Sequence, residues 1–195
     1  MRLDLTPERL VGAYAAGIFP MADEEGFVRW LAPDPRCIIE LDAFAVSRSL
    51  RAVVRRGLFA LKVDTAFEEV IDACADRGNG TWISSEIRAA YIELHRLGFA
   101  HSVESWSDDS LAGGLYGVGL GGAFFGESMF HRATDASKVA LVGLVERMKD
   151  RGFELLDVQF MTEHLRQFGA VEIPRREYER RLHKAIRKPC DFHAR

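Results

Sequence analysis

The sequence predicts a mixed α/β protein built on a central, largely antiparallel sheet. Three observations predict it. Amphipathic helical segments come first, three apolar strands joined by tight turns follow, and a helix that is apolar around much of its circumference then leads into a further strand. With 48% hydrophobic and 28% charged residues, 195 positions are enough for one sizeable core.

The elements read as follows. "TPERLVGAYAAG" is a short leading helix, with Thr6 as N-cap, Pro7 in the first helical position and Gly17 at the left-handed exit. In "IFPMADEEGFVRWLAPDPRCIIEL", Pro20, Pro33 and Pro35 punctuate two short apolar strands. The Pro33 to Pro35 region is the expected boundary between a small N-terminal domain, residues 1–34, and a larger domain, residues 35–195. "AFAVSRSLRAVVRRG" then gives a helical segment, and "FALKVD" a strand. "TAFEEVIDACADRG" gives a helix with Thr65 and Glu68 at capping-box spacing. "SSEIRAAYIELHRLG" sets Ile87, Tyr91 and Leu94 at helical spacing and stops at Gly98. "AHSVESW", "SLAGGLYGV" and "AFFGESMF" are strands, the last two joined by the turn "GLGG". "DASKVALVGLVERMKDRG" is a buried helix capped by Asp135 and ending near Gly152. The strand "FELLDVQF", a short helix "TEHLRQFG" and a basic helix from Arg175 to Lys188 complete the chain.

Several classes are disfavoured. No apolar run reaches membrane-spanning length and "MRLDLTPERL" lacks a signal-peptide core, so a cytoplasmic protein is expected. Cys37, Cys74 and Cys190 are scattered singly, which suits reduced thiols rather than a disulfide framework or a paired zinc motif. The six histidines contain no HExxH and no acidic partner at ligand spacing, so a metal enzyme is not expected. A net charge of −3 argues against indiscriminate nucleic-acid binding, although totals say nothing of patches.

Two stretches depart from what stability alone requires. "GGLYGVGLGGAFFG", residues 113–126, carries seven glycines and is followed at once by a lone carboxylate, Glu127. Glycines weaken a strand unless they mark a turn, a bulge or the close approach of a backbone or ligand. A regular strand puts Phe124 and Glu127 on opposite faces, so for both to line one pocket a bulge at or near Gly126 is needed. Glu127 itself suits a cationic group, proton transfer or a buried backbone, and its titration depends on which of these it meets. In "ELLDVQF" Asp157 interrupts an apolar strand and Gln159 shares its face. Two readings stay open for the pair: a ligand site at the strand's C-terminal end, or a structural cluster in which Asp157 caps the next helix or pairs with an arginine. "GESMF" lacks the final glycine and following helix of a serine-hydrolase elbow, and "GVGLGGAF" lacks the lysine of a phosphate loop.

A helical wheel gathers Arg48, Arg51, Arg55 and Arg56 opposite Val46, Leu50, Val53 and Val54. Four arginines without an intervening acid favour phosphates over a merely solvated face. Trp82, in "GTWISSEI", is placed either to stack on a nucleobase or to seal a core edge.

Taken together, "AYAAGIFPM", "PDPR", "SRSL", "GTWIS", "AHSVE", "GGLYGV", "FFGESMF", "ASKVAL", "DVQF" and "EIPRREY" resemble the bacterial leucyl/phenylalanyl-tRNA–protein transferases, in order from about Tyr14 to Tyr178. The resemblance implies a small N-terminal domain and an acetyltransferase-like catalytic domain. It implies transfer of leucine or phenylalanine, and more weakly methionine, from leucyl-tRNA or phenylalanyl-tRNA to proteins beginning with arginine or lysine, which marks them for degradation by the N-degron pathway. No cofactor and no membrane are involved, and a monomer is expected.

By the same resemblance Asp157, Gln159 and Glu127 are catalytic: the first two assist the attacking amine, and Glu127 sits in the acceptor region. Leu115, Phe124, Leu141, Leu144 and Leu156 line the aminoacyl pocket, and the glycines let an aminoacyl-adenosine approach the sheet. Trp82 stacks on the terminal adenine, with Met21 standing where many relatives have a second aromatic. Arg48, Arg51, Arg55 and Arg56 approach the acceptor stem. The rival expectations are an acyl-CoA-dependent N-acyltransferase and a non-catalytic RNA-binding module.

Overall fold

The leading helix forms as its pattern requires. In the computed structural model, which describes residues 5–76, 78 and 80–193, α1 spans Pro7–Ala15. Thr6 accepts from the Arg9 N–H at 3.4 Å, and Gly17, at φ +74°, ends the helix. Leu10 and Tyr14, one turn apart, are both fully buried. β1 (Phe19–Ala22) and β2 (Val28–Leu31) then pair antiparallel as a separate hairpin, with Phe19 opposite Leu31. A third strand, β3 (Arg36–Ile39), follows where only two were expected, and all four of its residues are buried.

α2 (Arg48–Arg55) is capped by the Ser47 hydroxyl, and β4 (Ala60–Val63) follows. α3 (Phe67–Ala75) corrects one expectation: Thr65 is not its cap. The hydroxyl of Thr65 bonds to Glu104, whose carboxylate also accepts from the Thr65 and Ala66 N–H groups at 2.9 Å each. A side chain from a distant strand thus satisfies this helix start. α4 (Ser85–Arg96), capped by Ser84, buries Ile87, Tyr91 and Leu94.

β5 (Ala100–Ser107), β6 (Ser110–Leu120) and β7 (Ala123–His131) form the expected meander. α5 (Ala136–Asp150) is buried along most of its length, and Asp135 holds its N-cap position as expected, but without a side-chain capping bond: at φ +67°, its carboxylate accepts from Lys138 at 2.8 Å instead. β8 (Leu155–Gln159), α6 (Glu163–Arg166, capped by Thr162), β9 (Ala170–Ile173) and α7 (Arg175–Ala185) complete the order.

Among the described residues the main sheet has seven strands in the order β4-β5-β6-β7-β8-β3-β9. Only the β7–β8 pair is parallel, so the largely antiparallel centre is as expected. Because neighbouring strand residues face opposite sides, Phe125 joins α1, α3, α4 and α7 in one cluster while Phe124 joins α2 and α5 in the other. Each fully buried side chain of this size contributes about 1.5–3 kcal/mol.

Candidate active site

The cavity arises where two strands part. β7 and β8 pair at Ala123 with Leu155, Phe124 with Leu156 and Phe125 with Asp157, and then no further. On the other side of β7 the register slips: Gly117 faces Gly126 while Tyr116 faces Ser128, which leaves Glu127 as the extra residue of a bulge. β8 ends at Gln159, held at φ +58°, a left-handed conformation that few non-glycine residues adopt. Beyond the last pair the two strand ends, Gly126–Met129 and Val158–Phe160, line a cavity of about 500 Å³. Leu115 from β6, Leu141 and Leu144 from α5, and Leu156 from β8 add to its apolar wall, and Phe19 and Met21 from β1 and Trp82 from just before α4 line it as well.

Glu127 is the carboxylate of this cavity, and its partners are neutral. Oε1 accepts from the Tyr14 hydroxyl at 2.8 Å and from the Gln159 amide at 3.2 Å, and Oε2 accepts from the Tyr91 hydroxyl at 3.2 Å. The two tyrosine hydroxyls are also bonded to each other. Desolvation dominates: it pushes the Glu127 carboxyl up to about 8, against the downward pull of the Tyr14 and Tyr91 hydroxyls, and the nearby Asp157 charge adds to the rise. The same burial, reinforced by Glu127, holds both tyrosines well above their ordinary range.

Asp157 lies behind the cavity and is not among its lining residues. Arg36, from β3, grips it through Nε at 2.9 and 3.1 Å and Nη2 at 2.7 Å. The Tyr178 hydroxyl donates at 2.6 Å and the Gln159 backbone N–H at 2.9 Å, so both oxygens are engaged. Arg36 is 1% exposed, lies against the Phe19 and Tyr178 rings and donates to the Gly17 carbonyl at 3.1 Å. Of the expected pair, then, Gln159 reaches the cavity and Asp157 holds Gln159's backbone. Thr162, not Asp157, caps the following helix.

Of the expected aminoacyl pocket, Leu115, Leu141, Leu144 and Leu156 line the cavity. Phe124 does not: fully buried, it stacks on Phe192 at 5.2 Å. The expectation about glycines is likewise corrected. Gly126 is the one glycine of the stretch that lines the cavity, whereas at Gly117 a Cβ would stand 2.2 Å from the Phe125 carbonyl oxygen, so that glycine serves strand packing against the bulge. Trp82 and Met21 both reach the cavity. Arg48, Arg51, Arg55 and Arg56 lie apart from it, exposed along and just after α2 and without an ion-pair partner among the described residues.

Sequence reasoning missed Arg36, Tyr14, Tyr91 and Tyr178. The tyrosines sit on apolar helix faces, where a core position and a hydrogen-bonding one leave the same pattern. Among the described residues, ligand atoms suited to a metal ion also gather at Asp64, His101 and His193, outside this cavity. No helix among the described residues is long and apolar enough to cross a membrane.

The comparisons with known proteins converge. The family model described as "Leucyl/phenylalanyl-tRNA protein transferase" matches residues 38–183, and the model of that family's N-terminal domain matches residues 3–34. A leucyl/phenylalanyl-tRNA–protein transferase of Gloeobacter violaceus is 58% identical over 193 residues, covering 98% of this chain and 100% of the relative. Its counterpart in Salinibacter ruber is 56% identical and covers 94% of this chain and 81% of the relative. That of Rhodopseudomonas palustris is 56% identical over 97% of this chain and 84% of the relative.

Proposed function

The chain belongs to the leucyl/phenylalanyl-tRNA–protein transferase family, and from that premise we propose that it is an aminoacyltransferase. It moves leucine or phenylalanine, and methionine more weakly, from tRNA to the α-amine of proteins that begin with arginine or lysine, marking them for degradation. It does so in the cytoplasm, as a monomer whose site is complete within one chain. In this reading residues 1–34 are a small N-terminal domain and 35–195 the catalytic domain, with 1–4, 77, 79, 194 and 195 outside the described residues. The two share the site, since Tyr14 and Gly17 reach Glu127 and Arg36.

The observation that carries the mechanism is a half-buried Glu127, surrounded by neutral donors, whose carboxyl is pushed up to about 8. An α-amine titrates at about 7.7–8.0, so proton exchange between the two is close to balanced, which is the condition for efficient general-base catalysis. Glu127 takes one proton from the acceptor's ammonium, and the freed amine attacks the ester carbonyl of the aminoacyl group. The C–N bond forms, the ester C–O bond breaks, and the second proton that the attacking nitrogen gives up ends on the departing ribose oxygen of the tRNA. Gln159 orients the amine against Glu127. Asp157 acts on Gln159 and not on substrate, so it is a positioning residue. Leu115, Leu141, Leu144 and Leu156 hold the aminoacyl side chain. Trp82 and Met21 hold the terminal adenine, and Arg48, Arg51, Arg55 and Arg56 follow the acceptor-stem phosphates.

Labelled leucyl-tRNA incubated with peptides beginning with Arg, Lys or Ala tests this. Label is expected on the first two and not on the third. Transfer from acetyl-CoA without tRNA would replace this reading with an acyl-CoA-dependent enzyme. Binding of charged and uncharged tRNA alike, with no transfer, would replace it with an RNA-binding module.

A further inference from the structure

Three side chains far apart in sequence meet at a second cluster, away from the cavity. Asp64, just beyond β4, adopts φ +56° and turns its carboxylate inward, where it is 7% exposed. His101, on β5, is 4% exposed and aims Nδ1 at Asp64 Oδ2 at 2.8 Å. His193, in the strap that follows α7, brings Nε2 to the same oxygen at 2.7 Å. The three ligand atoms lie within 4.8 Å of one another.

The surroundings fix each of these groups. Asp64 Oδ1 accepts from the Ser102 N–H at 2.6 Å, which leaves Oδ2 facing the two imidazoles. Phe192, buried next to His193, stacks on the His101 ring at 4.4 Å and on Phe124 at 5.2 Å. Its carbonyl accepts from Arg147 Nε at 2.7 Å, and the Arg147 guanidinium lies over its ring. His193 is thus presented by a preceding residue whose ring and carbonyl are both held. Outer-shell contacts of this kind are what orient metal ligands.

We propose that Asp64, His101 and His193 bind a divalent transition-metal ion of the zinc class, which fastens the C-terminal strap to the sheet. Two imidazoles and one carboxylate suit zinc and its neighbours, whereas magnesium and calcium prefer oxygen donors throughout. On binding, each imidazole carries its proton on the other ring nitrogen and gives the metal its free lone pair, so neutral histidines release no proton. His193 is more than half exposed, so water completes the coordination.

The test uses full-length protein freed of metal by chelator dialysis and titrated with Zn²⁺ against a chromophoric chelator. The expected result is one site per chain. His193→Ala, an exposed change outside the cavity, should weaken it by more than about tenfold, since even outer-shell partners are typically worth that much. Zn²⁺ should also raise the melting temperature of the wild type and not of His193→Ala. Absence of a one-to-one site, or an affinity and a thermal shift that His193→Ala leaves unchanged, overturns the proposal and leaves a purely hydrogen-bonded clamp.

Discussion

Two carboxylates stand on either side of the point where β7 and β8 part, and their surroundings make them opposites. Asp157 is fully buried and meets a guanidinium, with Arg36 Nη2 2.7 Å from Oδ2. Glu127 meets two phenols and an amide, all neutral. A carboxylate gripped by a guanidinium is held in place, whereas desolvation among neutral donors pushes the Glu127 carboxyl up to about 8, the range in which an α-amine titrates. Glu127 can therefore exchange a proton with an incoming amine. The difference teaches that charge partner, more than depth, divides support from chemistry at this site.

The largest effect is expected from breaking the ion pair. Arg36→Met leaves Asp157 buried and unpaired, and should cost about 3–5 kcal/mol of stability, read from urea unfolding. Arg36→Met combined with Asp157→Leu should recover part of that loss, because an apolar pair carries no buried charge, although the Tyr178 hydroxyl, the Gln159 N–H and the Gly17 carbonyl each lose a partner. The double variant should still turn over poorly, since the Gln159 backbone loses its acceptor. A stable double variant with wild-type turnover would remove Asp157 from the positioning role.

Next in size is Glu127→Gln, which keeps shape and hydrogen bonding but cannot take a proton. Turnover should fall by about a hundredfold or more with leucyl-tRNA binding unchanged, as for a general base. Both proteins should show the rise in kcat/KM that the acceptor amine's own titration gives below pH 8, and only the wild type should fall again above it, where the ammonium that Glu127 deprotonates is lost. The same profile in both proteins would move the proton acceptor elsewhere.

These contrasts were only partly legible in the sequence. α1, α4 and the meander could be read because their caps, periodicities and turns lie within a dozen residues of one another. The irregularity at β7 could also be inferred, from the parity of Phe124 and Glu127, although Phe124 turned out to face a different cluster. The partners could not. Arg36 reaches Asp157 across 121 positions and Tyr14 reaches Glu127 across 113, and a contact so distant leaves no local pattern. The helix start at α3 was misread for the same reason, since its satisfying carboxylate, Glu104, arrives from 39 residues away. β9 was missed because four edge residues, buried only at their ends, are too few to show an alternation.

A smaller effect follows from the Glu127 proton itself. With its carboxyl pushed up to about 8 from an ordinary 4.5, the folded state holds a proton that the unfolded chain has released. Stability from this group is therefore greatest below the unfolded value, falls as pH rises toward 8, and levels off above it. Glu127→Gln has no such proton, so its stability relative to the wild type should increase between pH 5 and pH 8, by urea midpoints. Parallel profiles would mean that Glu127 is solvated and ordinary.

The smallest expected effect concerns Gln159, which touches both carboxylates: its backbone N–H holds Asp157 and its amide holds Glu127. At φ +58° a residue with a side chain bears a strain of roughly 1–2 kcal/mol that glycine escapes. Glycine in turn loses about 0.5–1 kcal/mol through the greater freedom of its unfolded chain. Gln159→Gly should therefore leave stability nearly unchanged and keep the N–H that supports Asp157. Removal of one neutral hydrogen bond, worth about 0.5–1.5 kcal/mol, should lower turnover by a few-fold to roughly tenfold. The fall in kcat/KM above pH 8 should also move to higher pH, because the charged form of Glu127 loses a donor. A glycine variant that matches the wild type in turnover and pH profile would show that the backbone at 159 matters and its side chain does not, and Tyr14 and Tyr91 would then be the groups that tune Glu127.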